Sequence, residues 1–122
     1  GEIHWTVASK IPPRQGLKSS AAVAVAAIKA LCDAMNINLE DHQIVDLASV
    51  AQLSAGVSLT GSIDDAWAAL SGGWKLIDVN AESVESGIIM ESSGPNSADW
   101  RVFLILRLVS IFLNLLVRFM NY

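Results

Sequence analysis

Cysteine is almost missing from this 122-residue chain. Cys32 has no second cysteine to pair with, so an internal disulfide is excluded, and a lone thiol among alanines reads as a small buried group in a reducing, cytoplasmic setting. Histidine is scarce too. His4 and His42 have no partners at metal-ligand spacing and read as solvated or strand-edge residues. Charged residues make up only 16%, with 8 basic against 12 acidic side chains and a net charge of -4. No basic run could neutralise phosphates along a duplex, which excludes a nucleic-acid partner. Residues 1–20 lack a basic stretch followed by an apolar core and so do not form a secretory signal, while the missing initiator Met points to an absent start. Repeats and low-complexity tracts are lacking as well. What the chain has in excess is apolar side chains, 52% of it, too many for disorder and enough for one compact domain with surface that something should cover.

Ile3, Trp5 and Val7 alternate with His4, Thr6 and Ala8, which predicts a half-buried strand over Ile3 to Ser9. Pro12, Pro13 and Gly16 break the pattern. A helix is predicted next, capped by the hydroxyls of Ser19 or Ser20, running to Met35 and buried on most sides because it is small and apolar all round. Asn38 is expected to cap a second helix that Gly56 closes. A short helix, Ala66 to Leu70, follows Asp64 and Asp65 and stops at Gly72 and Gly73. Trp74 to Val79 and Ser86 to Met90 alternate as antiparallel strands, Gly94 to Asn96 is a loop, and Trp100 to Leu106 is a third strand. The four tryptophans, Trp5, Trp67, Trp74 and Trp100, read as core and rim aromatics, since no basic residues interleave them.

Val102 to Met120 is a 19-residue apolar run close to bilayer-spanning length, interrupted by Arg107, Asn114 and Arg118. Each central Arg costs about 2.5–3.5 kcal/mol of insertion against gains of about 0.3–0.6 per Leu, Ile, Val or Phe, so a span is marginal. The other readings are a buried strand with an apolar tail and a chain end that is not native sequence.

Two motifs can carry chemistry. In Pro12-Pro13-Arg14-Gln15-Gly16-Leu17-Lys18-Ser19-Ser20-Ala21, a glycine-bearing loop delivers backbone N–H groups and two hydroxyls to a helix N-terminus. Amides and dipole there favour a phosphate, and a serine hydroxyl can reach a magnesium ion bridging phosphates. It is not a Walker loop, and an ordinary capped helix would look similar. The second motif is Thr60-Gly61-Ser62-Ile63-Asp64-Asp65 ahead of Gly72-Gly73. Adjacent acids at a helix start are commonly dipole-stabilised surface groups; beside a phosphate loop, one of them can serve as base or electrostatic anchor for an attacking hydroxyl.

Together the motifs resemble the GHMP kinase superfamily of small-molecule kinases. Its phosphate loop, P-x-x-x-G-L-x-S-S-A, is matched throughout from Pro12 to Ala21. The run Thr60, Gly61, Ser62, Ile63, Asp64, Asp65, Ala66 with Gly72-Gly73 is similar to the archaeal-type shikimate kinase pattern T-G-A-aromatic-D-D-A followed by G-G. The resemblance implies an α+β, two-layer, ribosomal-protein-S5-like domain that transfers the ATP γ-phosphoryl group to shikimate, a step of aromatic amino-acid synthesis. It implies that Pro12 and Gly16 to Ala21 wrap the ATP phosphates, that Ser20 ligates magnesium, that Asp65, with Asp64 its neighbour, faces the substrate hydroxyl, and that Thr60 and Gly61 line the acceptor pocket. Mevalonate-kinase-like members hold magnesium with a carboxylate about eleven residues before the catalytic Asp; here that count reaches Ser54. The likeness ends near Arg107. Residues 1–107 are therefore expected to be a partial, by itself inactive, N-terminal ATP-binding domain, and 108–122 an apolar tail from a displaced frame or divergent end. Homoserine or mevalonate kinases, differing in the acceptor pocket, and a non-catalytic membrane-associated protein held by residues 102–120 are the alternative readings.

Overall fold

The computed structural model describes residues 2–13, 16–61 and 63–93. Three helices and a hairpin follow in order: α1 (Ser19–Met35), α2 (Asp41–Ser54), α3 (Ile63–Ser71), β1 (Trp74–Ile77) and β2 (Ile88–Ser92). The described part is thus an α+β arrangement with a two-stranded antiparallel sheet. The third strand, the 94–96 loop and the apolar run of 102–120 lie outside the described residues.

The helices stand close to their predicted places, but their ends differ. α1 begins at Ser19 with Lys18 as its N-cap, in the left-handed region (φ 55°), so neither serine is the cap and no cap hydrogen bond comes from a side chain. α2 is capped by Glu40 rather than Asn38. The Glu40 N–H donates to Gln43 Oε1 at 2.9 Å, one half of a capping box, and this local pairing displaces the start by two residues. At the other end Gly56 follows Ala55, its N–H donating to the Leu53 carbonyl. α3 starts three residues earlier than predicted and takes Asp64 and Asp65 into its first turn, where the dipole favours them.

The core is the meeting of the three helices. Val25 of α1, Ile44, Val45 and Ala48 of α2, and Ala66 and Trp67 of α3 form one buried cluster, with Ile77 and Ile88 of the hairpin packed against it. Only Ala21 and Val25 of α1 are buried, which corrects the expectation of a helix covered on most sides. The face with Ala26 and Ala30 remains open to solvent, and Cys32 is half-buried.

The predicted strand over Ile3 to Ser9 is absent. Those residues are exposed and outside any helix or strand, and no described strand lies beside them to complete a ladder, so alternation has nothing to pair with. In the hairpin, Leu76 pairs with Met90, and both are exposed on one face, while Lys75 and Ile77 turn to the helices. Of the tryptophans, Trp67 is buried, Trp5 and Trp74 are exposed, and Trp100 lies outside the described residues. No helix of the described residues is long and apolar enough to cross a membrane.

Candidate functional site

The loop before α1 is built from two left-handed residues, Gly16 (φ 74°) and Lys18 (φ 55°). Gly16 adopts this conformation without steric cost; Lys18 does so against its own Cβ. The turn delivers the chain to the start of α1, whose opening amides have no intrahelical carbonyl to bond and whose first turn holds no acid. The positive end of α1 is therefore uncompensated from within its own first turn.

The acid comes from another helix. Lys18 Nζ lies 2.7 Å from Asp65 Oδ2. Two helix N-termini thus meet, one bringing the loop and the other the carboxylate. The cavity between them holds about 330 Å³ and is lined by Gly16, Leu17 and Lys18, by Ala22 of α1, and by Asp65 and Ala68 of α3. Asp65 also lines a second cavity of about 280 Å³, shared with Asp64, Trp67, Gly72, Gly73 and Lys75. A half-buried carboxylate therefore stands in the wall between two hollows, one facing the glycine turn and the other facing the hairpin.

The hydrogen bond to Asp65, and then its charge, hold the Lys18 ammonium above the ordinary lysine range, with Asp64 adding a smaller push. A raised lysine value stabilises the fold below the ordinary 10.5, and the contribution is lost as pH climbs through the raised value. With the Lys18 side chain 64% exposed, solvent screening keeps the pair below about 1 kcal/mol. The difference in thermal midpoint between the chain and its Lys18→Met form is expected to stay constant between about pH 6 and 9 and to shrink only in stronger alkali. A difference that changes within the neutral window would mean that Asp65 is not the partner that matters.

The sequence-derived residues divide into two groups. Gly16, Leu17, Lys18 and Asp65 share one cavity, and Ser19, Ser20 and Ala21 form the first turn of α1 above it. Pro12 is exposed, and Arg14, Gln15 and Ser62 lie outside the described residues. Asp64 is exposed and borders the second cavity. Thr60 and Gly61 line neither cavity that contains Asp65. Gly61 lies against α2, where the Ser49 hydroxyl donates to its carbonyl. A Cβ on Gly61 would come within 2.5 Å of Leu53 Cδ1, so this turn (φ 61°) admits no larger residue without movement. Ser54 is exposed at the end of α2.

Two polar residues escaped the sequence reading. Ser49 and Gln52 are 7% and 5% exposed, on the stripe that Ile44, Val45 and Ala48 bury. Their signal was available: Gln52 falls four residues after Ala48 and eight after Ile44, positions where an apolar residue is expected. The Ser20 hydroxyl donates to Gln52 Oε1 at 3.3 Å, and Gln52 Nε2 donates to the Ala48 carbonyl at 3.2 Å.

The donor set suits a cation carried in by a nucleotide better than a protein-built metal cage. Among the described residues no three His, Cys, Asp or Glu side chains cluster to hold a metal. Magnesium in phosphoryl-transfer sites keeps waters and phosphate oxygens and takes only one or two protein ligands. Ser20, whose proton is directed to Gln52, keeps oxygen lone pairs that could accept such a contact.

Comparison with known proteins gives a consistent result. The profile of the GHMP kinases N terminal domain matches residues 1–73. A shikimate kinase of Pyrococcus furiosus is 43% identical over 76 residues, which cover 62% of this chain and 28% of that protein. One from Thermococcus kodakarensis is 43% identical over 70 residues, covering 57% and 26%, and one from Methanocella arvoryzae 39% over 84 residues, covering 69% and 29%. The chain therefore spans less than a third of the length of these curated relatives. No solved structure matches it.

Proposed function

The chain belongs to the GHMP kinase family, and from that membership we propose that it is the nucleotide-binding portion of an ATP-dependent shikimate kinase acting in the cytoplasm. The observation that carries the proposal is the 2.7 Å contact of Lys18 with Asp65, which ties the glycine turn to the acid across one cavity. The finer fold that accompanies this reading is the two-layer S5-like one, of which the helices and hairpin form part.

In the proposed reaction the γ-phosphoryl group leaves ADP for a hydroxyl of shikimate, one P–O bond breaking as another forms, and the hydroxyl proton passes to the Asp65 carboxylate. Gly16 to Ala21 supply amides and the helix dipole to the phosphates. Lys18, released from Asp65 as the nucleotide enters, neutralises charge on the transferred oxygens. Magnesium, when bound with ATP, would be held by Ser20 and the phosphates and would offset their charge. Shikimate approaches Asp65 from the second cavity, where Asp64 and the Gly72-Gly73 turn border it. Thr60 and Gly61 hold the turn that aims α3 at the site.

The test is a hybrid in which the segment of this chain that matches the Pyrococcus furiosus enzyme replaces its counterpart there. The folded hybrid is expected to phosphorylate shikimate with ATP, and the 122-residue chain to bind nucleotide without turnover. A hybrid that folds and binds ATP yet transfers nothing to shikimate would overturn the assignment.

A further inference from the structure

We infer that Gln52 is a positioning residue for the nucleotide-borne cation, acting through Ser20; the inference rests on the kinase reading above. A serine hydroxyl has one proton and two lone pairs, and it rotates freely unless its proton has a fixed acceptor. Here it has one. Ser20 Oγ donates to Gln52 Oε1, and Gln52 is 5% exposed on the packed face of α2. The amide is itself oriented, because Nε2 donates to the Ala48 carbonyl one turn earlier. With Nε2 committed as a donor, the oxygen of the same amide is the end presented to Ser20. The pair thus directs the serine proton toward α2 and leaves the lone pairs of Oγ for a cation or its waters.

The position gives no other account of a glutamine. Gln52 occupies the apolar stripe of α2, where a Met or Leu of similar volume would pack without a polar group to satisfy. A buried amide kept in such a stripe costs desolvation unless its hydrogen bonds are made, and one of the two it makes reaches the phosphate loop. The other buried polar residue of the same face, Ser49, donates instead to the Gly61 carbonyl on the α3 side. One helix face therefore braces both loops, and each loop has its own contact.

The experiment measures binding of ATP to the whole chain with and without magnesium, for the unsubstituted protein, Gln52→Met, Gln52→Glu, Ser20→Ala and the Ser20→Ala/Gln52→Met double form. Gln52→Met is expected to weaken binding of magnesium-ATP by about 3- to 10-fold while leaving metal-free ATP unchanged, since one oriented hydrogen bond is at stake. Gln52→Glu keeps an acceptor for the serine proton but loses the donor that fixes it against the Ala48 carbonyl, so its magnesium preference should fall between those of the parent and Gln52→Met. The double form should bind no more weakly than Ser20→Ala, because both changes remove one interaction. Equal loss with and without magnesium, or additive losses in the double form, would reduce Gln52 to a packing residue and overturn the inference. Absence of ATP binding by the unsubstituted chain would instead overturn the kinase reading on which it rests. Intact binding with an unmoved Gln52→Met would remove only this role.

Discussion

Asp65→Asn in the hybrid enzyme is expected to lower kcat by about 10²- to 10⁴-fold, the usual worth of a positioned general base. The substitution keeps the shape of the side chain and removes its charge and its basicity. Loss of the ion pair with Lys18 should leave folding nearly untouched, because a pair exposed on the lysine side contributes little to stability. The magnesium-ATP affinity should hold or rise, since Lys18 no longer has to leave a carboxylate before meeting the phosphates. Asp64→Asn is the comparison: Asp64 is exposed, and its change should cost far less. Turnover that falls equally in both, or in neither, would return the two acids to the role of charges that stabilise the start of α3.

Trp67→Ala should cost about 3–5 kcal/mol, as removal of a large core aromatic does. Trp67 is 6% exposed and belongs to the cluster in which all three helices meet. Its ring also carries the Lys75 ammonium 5.4 Å from its centre, and Lys75 in turn pairs with Glu91 of β2. The aromatic thereby connects the helices to the hairpin. Set against a typical stability of about 5–15 kcal/mol, the loss should leave a substantial unfolded population or abolish the cooperative transition. Trp67→Phe should behave differently. The indole Nε1 is buried without a hydrogen-bond partner among the described residues, so phenylalanine gives up area and also removes an unsatisfied donor. Denaturant unfolding followed by circular dichroism separates the two, with Phe close to the parent and Ala far below it. Equal midpoints for Ala and the parent would mean that the core does not depend on this ring.

The elements that the sequence made legible are those whose signals are local. α1 ends at Met35 as its composition predicts, Gly56 and Gly72 stand where α2 and α3 stop, and the hairpin lies within two residues of its predicted strands. Cap identity was less legible: Asn38, Glu40 and the serines can all accept an amide proton, and the side chain that does so depends on a difference of one or two residues in where the turn closes. The strand predicted over Ile3 to Ser9 failed for a different reason. Alternation describes a surface that suits a sheet, but a strand exists only through its neighbour, and among the described residues it has none.

The sequence by itself determined the two motifs and the family: a glycine turn with hydroxyls before α1, a pair of acids opening α3, and membership of the GHMP kinases. Only the tertiary structure decided which acid faces the turn, because that depends on how α3 rolls against α1 to bury Ala66 and Trp67, and that roll turns Asp65 toward Lys18 and leaves Asp64 outside. It also decided that the Ser20 proton goes to Gln52, 32 residues away, a bond that no spacing in the chain announces because it forms when α1 and α2 pack.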